Sequence, residues 1–373
     1  MHLEPPFKKK KICFFVGSIG ERGGTERVTT LIANGLSERG YEIEILSLWD
    51  GLSSGYALSP SIKLSELFKE RQKFKWKYLD IIRRIRKYLK EHHPDILIST
   101  DTILTLYSAP ACYKKKVTQV AWEHFNFFAD LKIKARLISR YIAARMVDAV
   151  IVLTKEDLAV WKKKVSGRAK IVSIPNPVTF PPLEPQDRTW DNRLAIAVGR
   201  FTYQKGFDLL IQCWEKVATA SPDWKLYIIG EGEDEVSLRK QIKEGGLAHV
   251  ISVLPFNQDI SAYYRQASIF CLPSRFEGLP MVLLEAQSFG LPSVCFNCYT
   301  GPSDVINEGE NGFVVRGDDL AGFSDRVIQL TENPALRAKI GLKALENARL
   351  FQKEPILDQW DKLFQNALRP DLL

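Results

Sequence analysis

The chain is poor in the residues that would mark a metal site or a disulfide scaffold: six Cys, three Met and five His in 373 residues. The cysteines, at positions 13, 112, 213, 271, 295 and 298, are too dispersed for a small secreted framework, so buried thiols are expected. Cys295 and Cys298 have CxxC spacing, yet no second pair completes a zinc site. Asp318-Asp319 stands alone in a loop beside Gly317, and no set of His, Asp and Glu calls for a metal. Neither a metal nor a cofactor is therefore expected. Long apolar runs are missing too: none approaches the roughly 20 residues that span a bilayer. The opening residues, Met1 to Lys11, have no apolar centre of the signal-peptide kind, which makes the cytoplasm the expected location.

What remains is the profile of a soluble globular protein, 45% hydrophobic and 26% charged, with enough chain for two cores. Its charge of +8 is unevenly spread. Residues 1–180 hold 32 Lys/Arg against 18 Asp/Glu, whereas residues 181–373 hold 20 against 26. The first half should therefore meet an anionic partner, either nucleic acid or the anionic face of a membrane.

Short apolar runs without alternation recur between helix-length segments, the pattern of parallel strands covered on both faces. In the first half they are 10–16, 41–48, 94–100, 117–126, 149–154 and 170–174. Pro175 to Pro185 carries five prolines and reads as a linker. The alternation then restarts at 194–198, 225–229, 250–254, 268–272 and 292–296. This predicts an α/β protein with two Rossmann-like domains, over 1–176 and 177–353, and an amphipathic last helix over 354–369. A further helix, over 66–90, repeats Phe74, Tyr78, Ile81, Ile82, Ile85 and Leu89 at helical spacing. Lys73, Lys75, Lys77, Arg83, Arg84, Arg86, Lys87 and Lys90 cover its other side, and it also holds Trp76. It can pack on the sheet, lie on an anionic membrane, or do both.

Ligands of open parallel sheets bind beyond the carboxyl ends of the strands, and the candidate site residues collect there. In the first half, Gly23-Gly24 opens a helix after strand 10–16. That pair serves either as a tight turn or as a place where backbone approaches a ligand. Glu123 and His124 end strand 117–126, and His124 is as compatible with a structural hydrogen bond as with a functional one. In the second half, Gly199-Arg200 follows one strand and Lys205 comes five residues later, a fork and a point charge suited to a diphosphate. Gly230 and Phe256 end neighbouring strands and can line a base pocket. The densest signal is Ser274-Arg-Phe-Glu-Gly-Leu-Pro-Met-Val-Leu-Leu-Glu285. A helix beginning at Pro280 would direct the N–H groups around Gly278 and Leu279 at a phosphate, with Glu285 leaning toward sugar hydroxyls. Glu277 sits on the turn itself.

Together these residues resemble the family 4 glycosyltransferases, retaining enzymes of the GT-B fold. The resemblance is carried by the Gly-Gly loop, His124 after Trp-Glu, Gly-Arg with a following Lys-Gly, and the E-x7-E element from Glu277 to Glu285. Tyr299-Thr-Gly-Pro-Ser303 and Glu310-Asn-Gly-Phe-Val-Val315 add to it. The Trp-Glu-His-Phe-Asn run is similar to the subgroup that extends lipid-linked or surface glycans.

The resemblance implies two sheets facing across a cleft, an acceptor-binding first domain onto which the last helix packs back, and a nucleotide-sugar-binding second domain. It implies transfer, with retention, of a hexose or N-acetylhexosamine from a nucleotide diphosphate sugar, with UDP the expected nucleotide, to a glycan or lipid-linked glycan. Arg200 and Lys205 would hold the diphosphate, and Glu285 the ribose. Gly199, Gly230, Phe256, Gly278, Leu279 and Pro280 would line the donor site. Glu277 and His124 would act at the transferred sugar, and Gly24 would lie near it. The basic half would touch the inner face of an anionic membrane, with no nucleic-acid partner. Two other readings fit parts of the sequence. A UDP-sugar epimerase would use the same donor site without an acceptor, and a non-enzymatic module binding membrane or nucleic acid would use the basic half alone.

Overall fold

A computed structural model describes residues 10–72, 77–129, 133–256, 259–298 and 300–367. The chain divides into two compact units, the first comprising Met1–Pro177 with Lys353–Leu373, the second Val178–Gln352.

In the first unit, aliphatic runs that are buried on both faces form β1 (Lys11–Val16), β2 (Glu42–Trp49), β4 (Ile96–Ser99), β5 (Thr118–Trp122) and β6 (Ala149–Val152). The less buried β3 (Lys63–Phe68) and β7 (Lys170–Ser173) form the edges. The sheet is parallel, in the order β3-β2-β1-β4-β5-β6-β7. Around it lie α1 (Gly24–Glu38), α2 (Tyr78–His92), α3 (Thr105–Cys112), α4 (Ala135–Met146) and α5 (Lys155–Lys164).

The second unit repeats the scheme with β8 (Leu194–Val198), β9 (Lys225–Ile229), β10 (Ile251–Leu254), β11 (Ile269–Leu272), β12 (Ser293–Asn297) and β13 (Gly312–Arg316), ordered β10-β9-β8-β11-β12-β13. Its helices are α6 (Phe207–Ala220), α7 (Glu235–Glu244), α8 (Ile260–Gln266), α9 (Met281–Ser288), α10 (Pro302–Val305), α11 (Leu320–Glu332) and α12 (Pro334–Arg349). Its core is built on Trp214, Phe201, Ile228, Phe323 and their neighbours. The last helix, α13 (Lys353–Ala367), belongs to the first unit. It presses on α1 at Gly35, where a Cβ would stand 2.5 Å from Leu357, and sets Trp360 edge-on to Trp122 at 4.8 Å. Arg39 fixes it through Glu354, Asp358 and Asp361.

In each sheet the strand order reverses once, between β1 and β4 and between β8 and β11. At such a point the two adjoining crossovers leave in opposite directions and open a crevice beyond the strand ends. The sequence motifs fall at these places.

Three sequence expectations need correction. The basic helix does not begin at 66. Residues 63–68 are the edge strand β3, and the helix runs from Tyr78 to His92, burying Ile81, Ile85, Tyr88 and Leu89. Edge pairing with β2 satisfies the backbone of 63–68, which a helical spacing argument does not see. Lys73, Phe74, Lys75 and Trp76 lie outside the described residues, as do Asn257, Tyr299 and residues 368–369. The run 117–126 is strand only as far as Trp122, because Glu123 and His124 have already left the ladder. Pro280 is the cap before α9 and not its first residue. Its ψ of 98° is extended, while its carbonyl already accepts from Leu283 and Leu284. All six cysteines are free and buried, and no helix among the described residues is long and apolar enough to cross a membrane.

Candidate active site

Two loops leave the second sheet at its reversal point, 199–206 after β8 and 273–280 after β11, and they are laced together. Gly206, at φ 66°, permits this: a Cβ there would lie 2.1 Å from the carbonyl oxygen of Pro273. The Arg275 amide donates to the Gln204 carbonyl at 2.8 Å, and the Gln204 side chain donates to the Phe276 carbonyl at 3.0 Å. The Arg275 guanidinium grips Asp208, in the first turn of α6, with bonds of 2.8 and 2.6 Å while lying over the Tyr203 ring. Burial works to raise the Asp208 pKa, but this fork outweighs it and holds the carboxyl below its usual range.

The lacing brings Lys205 and Glu277 together, Nζ to Oε1 at 2.7 Å, with Glu277 only 6% exposed. The sequence reading assigned them separate partners, a diphosphate and a sugar; the structure pairs them. As a pair they are neutral, and Arg200 stands on the same loop as Lys205. Arg200 is exposed and makes no hydrogen bond or ion pair with a described residue. Gly199 is half-buried against the stem of Lys205. Gly230 approaches it so closely that a Cβ would fall 1.9 Å from its carbonyl oxygen.

The turn before α9 is fixed from the other side. Gly301, at φ 105°, would place a Cβ 2.2 Å from the carbonyl oxygen of Gly278, and Thr300 donates to the Glu277 carbonyl at 2.9 Å. Leu279 and Pro280 are buried, and no side chain caps α9, so its first N–H groups and its dipole offer positive potential. Glu285, one turn in, is 5% exposed. Thr179 donates to Oε1 at 2.6 Å and Tyr264 to Oε2 at 3.0 Å, which fixes the plane of the carboxylate. Tyr264 is itself stacked on Phe289, with centroids 5.3 Å apart. Phe256 is exposed beyond β10, the edge strand two places from β8, and no ring contact to a described residue holds it.

Gly24 and His124 belong to the first unit. Gly24 begins α1, and a Cβ there would meet nothing within 4 Å. His124 follows β5 with its ring 4.4 Å from that of Trp122, and its Nε2 is buried without a partner among the described residues. Burial, with a lesser contribution from the Arg136 charge, pushes its pKa down to about 3, so the ring is neutral at ordinary pH. Glu123 has a structural assignment. Arg140 donates to its Oε2 at 2.9 Å and Thr102 at 2.5 Å, while Arg140 also satisfies the carbonyls of Phe127 and Ala129. Arg136 pairs with Asp101 at 2.8 Å. Burial first, then the Glu123 charge, raise Asp101 to about 6, and burial raises Asp157 to about 7.

The sequence reading gave no role to Thr179, Tyr264, Arg275, Asp208, Gly206 or Gly301. Arg275 lies inside the singled-out stretch, but its partner is 67 positions away, and no local pattern points to it.

Two Rossmann-like units, the second with a charged and glycine-shaped crevice at its strand reversal, have the fold of the GT-B class of glycosyltransferases. The profile described as Glycosyltransferase Family 4 matches residues 22–180, and that of Glycosyl transferases group 1 matches 184–347. An uncharacterized glycosyltransferase of Haemophilus influenzae is 33% identical over 351 residues, covering 94% of this chain and 99% of its own. The chain belongs to glycosyltransferase family 4. Another relative is the Campylobacter jejuni GalNAc-alpha-(1->4)-GalNAc-alpha-(1->3)-diNAcBac-PP-undecaprenol alpha-1,4-N-acetyl-D-galactosaminyltransferase, 26% identical over 361 residues (95% of this chain, 98% of its own). Among solved structures, Anabaena HepE in complex with UDP superimposes with a TM-score of 0.77 at 18% identity, covering 95% of this chain and all of its own.

Proposed function

We propose that the protein transfers a hexose or N-acetylhexosamine, with retention, from a UDP-sugar to a hydroxyl of a lipid-linked or surface glycan, the second unit binding the donor and the first the acceptor. The observation that carries this reading is the laced pair of loops: a neutral Lys205–Glu277 pair at the uncapped start of α9, with Arg200, on the Lys205 loop, exposed and unengaged among the described residues. A diphosphate brings the negative charge that this arrangement lacks. Support for the donor and acceptor comes from the UDP held by HepE and the undecaprenol-linked glycan in the name of the Campylobacter relative.

In the reaction, the bond from the anomeric carbon to the diphosphate breaks and the acceptor oxygen bonds to that carbon. The electron pair leaves with the diphosphate, and the hydroxyl proton is released. Arg200, Lys205 and the backbone of Gly278, Leu279 and the first turn of α9 stabilise the charge that grows on the leaving group; because they are preorganised, they act most strongly at the transition state. Glu277, next to the anomeric centre, favours the positive charge developing on the sugar. Glu285 accepts from the ribose hydroxyls, its carboxylate oriented by the bonds from Thr179 and Tyr264. Gly199, Gly230 and Phe256 border the nucleotide, and Gly24 leaves backbone room at the sugar. With its pKa near 3, His124 serves as a neutral hydrogen-bond partner of the sugar and not as an imidazolium. The basic first unit keeps the enzyme at the inner face of an anionic membrane.

The test is a panel of UDP- and GDP-sugars followed for nucleotide release, with NMR of the anomeric proton of the product. A UDP-sugar should turn over with its configuration kept. Turnover of GDP-sugars alone would overturn the nucleotide assignment, and an inverted anomer would overturn retention.

A further inference from the structure

Helix α4 is built inside out. Its core-facing positions are Arg136, Ser139, Arg140, Ala143 and Ala144, whereas Leu137 and Ile138 point to solvent at 44% and 57% exposure. The inward arginines are explained by the carboxylates they meet, Asp101 and Glu123. Among the described residues of the first unit, no carboxylate or core cluster accounts for the outward turn of Leu137 and Ile138, although their neighbours Tyr141 and Phe128 each set a ring edge against Phe127. The outward apolar stripe continues through the half-buried Tyr141 and Ile142 and, ahead of the helix, through Ile133 at 43% and Phe128 at 48%. Of the eight exposed large apolar side chains among the described residues of this unit, four thus fall between positions 128 and 138.

The surroundings of the stripe are cationic. Lys134 precedes α4, Arg145 ends its exposed face, and Lys162, Lys163 and Lys164 close α5, with the Lys164 ammonium 5.8 Å from the Phe128 ring. Beyond the end of α4, Arg145 shares a cavity of about 410 Å³ with Lys114, Lys115 and Arg168. Residues 133–170 contain ten Lys/Arg and only three Asp/Glu, so the rim has few carboxylates to neutralise it. A row of apolar side chains at helical spacing, bounded by lysines and arginines, suits the boundary between headgroups and acyl chains of an anionic bilayer. The apolar groups enter that boundary, and each cation gains from the negative surface potential. A second protein would need a matching acidic rim.

We propose that the exposed face of α4, with Phe128 and Ile133, is the surface that docks the protein on an anionic lipid bilayer. This rests on the reading that the basic first unit meets a membrane, and it places the contact on α4.

The test uses the full chain and phosphatidylcholine vesicles with and without phosphatidylglycerol, by co-sedimentation. The wild type should bind only the anionic vesicles. Leu137→Glu with Ile138→Glu should weaken binding about tenfold or more while keeping the wild-type melting temperature, because both positions are exposed. As the six native cysteines are buried, Leu137→Cys can carry an environment-sensitive dye, whose emission should shift to the blue on anionic vesicles. If the wild type ignores anionic vesicles, the membrane reading itself fails. If it binds but the double variant binds equally well, or the dye does not respond, only the assignment to α4 fails. Light scattering provides one more outcome: a dimer broken by the double variant, with vesicle binding intact, would make α4 a self-association face and overturn the proposal.

Discussion

Replacing Arg200 with alanine separates the chemistry of the donor crevice from its stability. Arg200 is exposed and bonds to no described residue, so its loss should change the unfolding free energy by no more than about 0.5 kcal/mol. If it stabilises the departing diphosphate, removing it should cost roughly 2.7–4 kcal/mol at the transition state, or about 10²–10³ in kcat. Coulomb's law supports that scale, since two unit charges 4 Å apart at an effective dielectric of about 20 interact by about 4 kcal/mol. The bound donor already carries negative phosphates, so part of the loss should appear in KM and the remainder in kcat. Lys205→Ala makes the contrast. It deprives the buried Glu277 of a cation at 2.7 Å and should lower stability by about 1–3 kcal/mol as well as activity. The assay is UDP release at several donor concentrations, with thermal unfolding on the same samples. An Arg200→Ala enzyme with wild-type kcat/KM would refute the diphosphate role. A loss of stability as large as that of Lys205→Ala would refute the view that Arg200 is unengaged.

Glu285→Ala should weaken UDP binding by about tenfold or more, read by calorimetry; wild-type affinity would remove its ribose role, since losing one charged hydrogen-bond partner is worth about 1.5–3 kcal/mol. Arg140→Ala leaves Glu123 buried without its guanidinium and strips two backbone carbonyls, so chemical denaturation should show a loss of about 3–5 kcal/mol; a loss below about 1 kcal/mol would contradict the ion pair. Gly301→Ala should destabilise the second unit and impair UDP binding, because at φ 105° a Cβ collides with the Gly278 carbonyl; a variant with unaltered melting and affinity would show that the turn can yield. His124 should make the fold acid-labile. Its folded pKa, near 3, lies below the unfolded value near 6.5, so the unfolded chain takes up the proton first. The contribution is complete above about pH 6.5 and is lost as pH falls toward 3, by at most about 5 kcal/mol. His124→Asn should flatten the stability profile between pH 6.5 and 4, and parallel profiles for variant and wild type would count against the buried neutral ring.

How much of this was legible in the sequence depends on how local each interaction is. The strands buried on both faces could be read because nearly every residue in them is apolar for the same reason, as in residues 96–98 or Ala149–Val152. The edge strand Lys63–Phe68 is half wet and mixes polar with apolar residues, so helical spacing absorbed it. The α4 helix inverts the usual rule, because the carboxylates of Asp101 and Glu123, on other elements, decide which of its faces turns inward. Glu277 shows the same dependence at the crevice. Its position on the turn, and its distance from Glu285 along the chain, are properties of one short stretch and could be read directly. Its partner Lys205 lies 72 positions away and meets it only because the reversal of strand order sets β8 beside β11, and because Gly206 lets the two exit loops touch. If the carboxylate and the ammonium hold one another until a diphosphate draws the ammonium away, donor binding itself breaks the Lys205–Glu277 contact beside the sugar. Glu277→Gln should then bind UDP at least as tightly as the wild type, since Lys205 is freed, while turnover falls. UDP affinity that drops together with turnover would show that the pair acts as a fixed unit.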